Sequence, residues 1–178
     1  MMLYLEDENF LSQKDKDFIN NVILGNNFPF YYQTHSTKQG DHNSFFCHNL
    51  IRRLEDRIQG QDYHSMYAET ASKFLLEFCK KNNIKVKEIL RAAENIVYSS
   101  PSNESPIHKD HDFDYKHLLI YINDTDKNSK TKIYDVDEKK IIKEVTPIKF
   151  KGVCFDGLPH SHAYPKKGSR AVIVFTFR

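Results

Sequence analysis

The chain has 178 residues, 39% hydrophobic and 28% charged, with 26 Lys and Arg against 24 Asp and Glu. That length carries one domain with its own core, and a formal net charge of +2 excludes a bulk electrostatic attraction to nucleic acid or a membrane surface. Three cysteines, Cys47, Cys79 and Cys154, are odd in number and far apart, which argues against a disulfide framework or a zinc ribbon; with no basic-then-apolar leader and no apolar run of ~18 residues, the expected location is cytoplasmic.

Along the chain, Ser12 followed by Asp15 marks a helix start, and Phe18, Ile19, Val22 and Ile23 share one face until Gly25 stops it. The stretch NNFPFYYQTH then breaks the pattern. A second helix is predicted within residues 61–83, where Tyr63, Tyr67, Ala71, Phe74, Leu75 and Phe78 recur at helical spacing and Lys and Asn gather at the end. These stripes are expected to pack rather than to bind a ligand. From about residue 86 the helical period gives way. LRAAENIVYSS, KHLLIYIND, TKIYDVD, KKIIKEV, GVCFD and RAVIVFTFR are short β-rich runs between Asn, Asp, Gly, Pro or Lys clusters, the pattern of a sandwich or barrel that the last run closes. The expected organisation is a single α+β domain over 1–178, with 1–88 a mainly helical support region and 89–178 a β core.

The segment SPIHKDHDFDYKHLLIYIN (105–123) crowds histidines and aspartates in front of an apolar run. Within it His108 and Asp110 form H-x-D. Residues i and i+2 of a strand point to the same face, so both side chains reach one ion. About one H-x-[DE] is expected by chance among nine His and 24 acidic residues, so the pair gains meaning only with a third ligand elsewhere in the chain. Some 50 residues on, GVCFDGLPHSHAYPKKGSRAVIVFTFR reads as a strand, a turn, a histidine, a Pro/Gly turn and an arginine opening a terminal strand. Two His and one carboxylate on one face of a metal leave coordination positions open, as in non-haem Fe(II) oxygenases. Such ligands must be deprotonated, so metal affinity is expected to fall at acid pH. The second histidine is His160 or His162, two apart in a predicted strand and able to face the same way.

In order, Tyr98 in NIVYSSP, His108 and Asp110, Tyr121 in LLIYIND, Thr131 in KTKIYD, VTPIKFKGVCFDG leading to His160, and Arg170 at the head of the last run resemble the 2-oxoglutarate- and Fe(II)-dependent dioxygenases, in their prolyl 4-hydroxylase-like branch. The resemblance covers residues 89–178. It implies a double-stranded β-helix, a jelly-roll variant, with N-terminal buttressing helices and iron at one end. It implies catalytic metal ligands His108, Asp110 and His160, with His162 as the alternative; His160 is favoured because it follows Pro159 and stands ten residues before Arg170. It further implies that Arg170 forks onto the distal carboxylate of 2-oxoglutarate, that Tyr121 donates to it, that Thr131 belongs to the same cofactor site, and that Tyr98 lines the pocket nearer the iron. His111, Asp112 and His117 are expected on the substrate side or in solvent, with Asp112 and Asp114 shaping the adjoining loop. The branch often has a Gly-Gly-x-Thr turn before the strand at 131; this chain has KNSKTKI, so Asn128 or Ser129 is expected to make the turn.

The implied activity is hydroxylation of a C–H bond using O2 and 2-oxoglutarate, with succinate and CO2 as co-products and ascorbate as a supporting reductant. A protein or peptide side chain is the favoured substrate; modified nucleobases and small metabolites stay open. A cupin-like jelly roll that binds a metal or carbohydrate without oxygenase activity is the alternative class, and it would need the histidines but not an arginine and tyrosine aimed at a dicarboxylate. Nucleic-acid binding through DKNSKTK, EKKIIKE and PKKGSR is disfavoured by the weak net charge and by the acidic residues within the first two segments, and edge lysines also protect strands from aggregation.

Overall fold

The computed structural model describes residues 2–36, 43–57 and 63–178. Among these the strands are β1 (Tyr4–Asp7), β2 (Tyr31–Gln33), β3 (Phe45–Ile51), β4 (Ile89–Tyr98), β5 (Lys116–Tyr121), β6 (Thr131–Tyr134), β7 (Ile141–Val145), β8 (Gly152–Asp156), β9 (His160–His162) and β10 (Ser169–Phe177). The helices are α1 (Gln13–Phe18), which runs on as a π-turn over Ile19–Ile23, and α2 (Ala68–Lys81). Seven strands form one antiparallel sheet in the order β1-β8-β5-β10-β4-β3-β2, and three form a second, β7-β6-β9. Isolated bridges Glu104↔Ala163 and His108↔His160 lay residues 104–108 along the free side of β9. The result is a mostly β jelly roll with few helices.

Apolar residues on both faces of the large sheet explain why its strands read as nearly continuous hydrophobic runs. On the outer face Leu118, Ile120, Ile173, Phe175 and Phe177 pack with Ala71, Phe74, Leu75 and Phe78 of α2. On the inner face Leu119, Tyr121, Val153, Phe155, Val172 and Val174 meet Ile133 and Val145 of the small sheet. The site opens off this inner layer.

Residues 2–88 depart from the mainly helical expectation. β1 pairs with β8 at one edge, and β3 pairs with β4 and carries β2 at the other, so this region widens the sheet from four strands to seven. FFCHNLI has no period-two alternation, its His and Asn splitting the apolar residues into two blocks, and YLED is too short and acidic to read as a strand. The helix ends fare better. Ser12 and Asp15 form a reciprocal capping box, and Lys80 and Lys81 sit in the last turn of α2, where cations favour the helix dipole. α2 is shorter than its predicted stretch: Tyr63 bridges to Ile51 instead, and Gln61 and Asp62 lie outside the described residues. No helix among the described residues is long and apolar enough to cross a membrane.

One glycine marks how closely α2 approaches the sheet. A Cβ at Gly152 would stand 2.8 Å from Phe10 and from the Phe78 ring, and those two rings already meet edge-on at 5.0 Å between centroids. Gly152→Ala is therefore expected to destabilise the fold by about 1–3 kcal/mol, measured by denaturant unfolding. The turn before β6 is closed by Ser129, whose N–H donates to Asp126 O at 2.8 Å and whose Oγ donates to Ala163 O at 2.7 Å.

Candidate active site

A cavity of about 190 Å³ lies between the two sheets, with Arg91 of β4, His117 of β5, Thr131 of β6, His160 and His162 of β9, and Arg170 of β10 in its walls, closed by His108 and Asp110. His108 and His160 face each other across the bridge that joins their chains: His108 N–H donates to His160 O at 3.0 Å and His160 N–H to His108 O at 2.9 Å. Their rings stand 4.6 Å apart. Each ring donates its Nδ1–H to the carbonyl two residues earlier, His108 to Pro106 at 3.1 Å and His160 to Leu158 at 3.0 Å. A carbonyl only accepts, so both imidazoles are held in the tautomer whose Nε2 lone pair is free for a metal.

The Asp110 side chain is 5% exposed and is held from several sides. Oδ1 accepts from Arg53 Nη2 at 3.1 Å and Arg91 Nη1 at 3.2 Å, and its own carbonyl accepts from Arg53 Nη1 at 2.6 Å. Oδ2 lies 3.2 Å from His117 Nε2 and 3.8 Å from His160 Nε2. Donor atoms of Asp110, His117 and His160 all fall within 4.8 Å of one another, the spacing of a metal-capable group. His108 is outside that tight set while its ring abuts His160.

His117 departs from its expected place on the substrate side or in solvent. It is 1% exposed and its ring stands 4.8 Å from that of His160. Counting back in twos from Tyr121 along β5 turns it inward, a signal present in the sequence. His111 is also buried, bonded through Nε2 to Thr176 Oγ1 at 2.8 Å, whereas Asp112 and Asp114 are exposed.

Burial alone would raise the Asp110 carboxyl, but the hydrogen bond and charge of His117, then Arg91 and His160, hold it well below the usual carboxylate range. Burial, then the neighbouring His108 and His117, push His160 down to about 3. His160 therefore does not limit metal binding near neutral pH. It does couple folding to pH. Between about 3 and the ordinary histidine value of about 6.5 the unfolded chain binds a proton that the folded chain does not, so stability falls as pH drops through that window. At about pH 5 this amounts to roughly 2 kcal/mol. The thermal midpoint of the metal-free protein is expected to fall on acidification from about pH 7.5 to about pH 5, and His160→Asn to flatten that slope; an unchanged slope in the variant contradicts the assignment.

At the far end of the cavity Arg170, 3% exposed, donates from Nη2 to Thr131 Oγ1 at 2.8 Å, and its Cζ stands 5.4 Å from the Tyr121 ring centroid. Tyr121 OH pairs with Thr131 Oγ1 at 2.7 Å, so Tyr121 stands behind Thr131. Among the described residues Arg170 has no carboxylate partner, and its Nε and the Nε2 of His162 are buried without hydrogen bonds. A buried, unneutralised guanidinium is costly, and burial lowers its pKa. Tyr98 is not in this cavity, contrary to expectation. It is 52% exposed and its ring meets Phe46 edge-on at 6.1 Å, because β4 turns Asn95 and Val97 inward and the alternation sends Tyr98 to the opposite face.

The residues fit the groups that the resemblance implies. A carboxylate and neutral imidazoles with bare Nε2 atoms are the donor set of a non-haem ferrous site, and an unpaired guanidinium with orphaned donors is what a small diacid would satisfy.

No protein-family model and no curated protein matches the sequence. Solved structures do match. A 2OG-Fe(II) oxygenase family oxidoreductase from Burkholderia pseudomallei superposes at a TM-score of 0.74 and 13% identity, covering 99% of this chain and 84% of that one. A prolyl-4-hydroxylase from Pseudomonas putida superposes at 0.62 and 12% identity, covering 100% and 93%. A Trichoplax adhaerens prolyl hydroxylase, solved with a hypoxia inducible factor oxygen degradation domain peptide, superposes at 0.61 and 13% identity, covering 98% and 82%. The chain has the jelly-roll fold of the 2-oxoglutarate and Fe(II) oxygenases, their prolyl hydroxylases included.

Proposed function

We propose that the protein is a 2-oxoglutarate- and Fe(II)-dependent oxygenase that hydroxylates a C–H bond, with a protein or peptide side chain as its substrate. The reading rests on Arg170: a guanidinium buried without a counter-charge among the described residues, in the same cavity as a carboxylate–imidazole cluster. A metal- or carbohydrate-binding jelly roll without oxygenase activity has no use for that cation. The likeness to a prolyl hydroxylase solved with a peptide supports a peptide substrate.

In this reading Asp110, His160 and His108 hold the metal through a carboxylate oxygen and two Nε2 atoms. His117 keeps its Nε2–H on Asp110 and acts on the metal only through that carboxylate. Arg53 and Arg91 fix the carboxylate's other oxygen, so its orientation does not depend on the ion. Arg170 and Thr131 take the distal carboxylate of 2-oxoglutarate, with Tyr121 steadying Thr131 from behind. Leu119, Val172 and Val174 wall the cavity with apolar surface and exclude water from it. Ferrous iron, when bound there, supplies the O2 chemistry that turns 2-oxoglutarate into succinate and CO2 and oxidises the substrate.

The test is succinate release from 2-oxoglutarate in an ascorbate-supported assay, with and without Fe(II). Iron-dependent succinate formation matched by O2 consumption is the expected result; no turnover in iron-loaded protein contradicts the reading.

A further inference from the structure

We infer that the substrate of this site is an extended peptide carrying acidic side chains beside the residue it presents. The inference rests on the oxygenase reading for what happens at the site, and on a separate basic trench for the chemistry it selects. The trench, of about 820 Å³, adjoins the cavity and shares Phe45, Arg53, Arg91, Lys109 and Asp110 with it. Its walls carry four cations, Arg52, Arg53, Arg91 and Lys109, against the carboxylates of Asp56 and Asp110. Asp110 is already engaged by two of those arginines on its inner side, so its charge is spent at the trench floor.

The outer cations are free to meet a ligand. Lys109 is exposed, and Arg52 is bonded through Nη2 to the ring of His64 at 3.4 Å. Neither has a carboxylate partner among the described residues. An anionic group entering the trench therefore meets donors without a carboxylate partner in a cleft whose wall includes Asp110 of the metal-capable cluster, and the attraction strengthens as the ligand displaces water.

The shape of this positive field favours a peptide over a nucleic acid. Several lysines around the small sheet are tied to acids: Lys130 to Glu144 at 2.9 Å, Lys132 to Glu104 at 2.5 Å and Lys139 to Asp137 at 3.9 Å. Within the trench only Arg52 and Lys109 lack a carboxylate partner among the described residues, two charges that suit a short acidic segment and form no track for successive phosphates. One wall is the strand β2, through Gln33, and among the described residues β2 has β3 as its neighbour on one side only. Such an edge offers main-chain groups to an extended peptide, while Phe45 offers an apolar contact.

The test uses the full chain loaded with Fe(II) and 2-oxoglutarate without oxygen, and reads fluorescence anisotropy of three labelled probes of equal length. These are a proline-centred peptide flanked by Asp and Glu, the same peptide flanked by Lys, and an oligothymidylate. The acidic peptide is expected to bind roughly ten-fold tighter than the basic one, to weaken with salt, and to lose at least about five-fold in affinity in Arg52→Glu and in Lys109→Glu. Equal binding of the two peptides, an unaltered affinity in both reversals, or tighter binding of the oligothymidylate overturns the inference. Failure of the oxygenase reading looks different: the protein then forms no complex with Fe(II) and 2-oxoglutarate, whichever peptide it prefers.

Discussion

Arg170→Met is expected to reduce 2-oxoglutarate affinity of the metal-loaded protein by about two to four orders of magnitude, because removing one member of a buried charge pair costs about 3–5 kcal/mol. The sign of its effect on stability is the more distinctive part. In the ligand-free protein the guanidinium is buried with Nε unsatisfied and no carboxylate beside it among the described residues, so its removal relieves a desolvation cost instead of breaking a pair. The variant should be as stable as the parent or more so, and should bind the metal alone about as well. Calorimetric titration with 2-oxoglutarate and a thermal melt of the ligand-free protein check both halves. Strong destabilisation with unchanged 2-oxoglutarate affinity would show Arg170 to be a structural cation.

Asp110→Asn is expected to weaken Fe(II) binding about a hundred-fold or more, since the amide removes the one anionic ligand and presents an N–H group among the donors that now hold the carboxylate. Its histidine neighbours divide into two kinds. His108→Ala and His160→Ala should abolish binding, for each removes an Nε2 whose lone pair is set free by a backbone-anchored Nδ1–H. His117→Ala should weaken binding only about ten- to a hundred-fold, as the loss of a partner to a liganding carboxylate does. Metal affinity by competitive chelation separates the cases. If His117→Ala abolishes binding and His108→Ala spares it, the donor set is the tight group of Asp110, His117 and His160.

Much of the β core is legible in the sequence because short β-rich runs stand between turn-forming residues: the runs from LRAAENIVYSS to RAVIVFTFR fall on β4, β5, β6, β7, β8 and β10. β9 is legible by its histidines, whose two-residue spacing brings both to the cavity wall. The N-terminal strands are not legible. β1 and β2 are short edge strands with polar or exposed residues, and the meaning of FFCHNLI comes from the β4 it pairs with. Within the site, spacing in sequence identifies Asp110 but not what holds it. Arg53 is 57 residues away and Arg91 is 19 away, on segments brought together only by folding. Tyr98 fails for a local reason: a shift of one residue along a strand exchanges the two faces of the sheet, and the tyrosine is on the wrong count. Thr131, by contrast, falls in the cavity wall with Arg170 directly on its hydroxyl.

Anaerobic titration with Fe(II) and then 2-oxoglutarate, followed by visible absorbance, puts the metal donors and the buried guanidinium to the test together. The parent protein should develop the weak charge-transfer band of an iron–2-oxoglutarate chelate, saturating near equimolar ligand, and the band should be lost in Asp110→Asn and, at the same ligand concentration, in Arg170→Met. Absence of the band in folded parent protein, or its persistence undiminished in both variants, would contradict a ferrous centre and a diacid sharing this cavity.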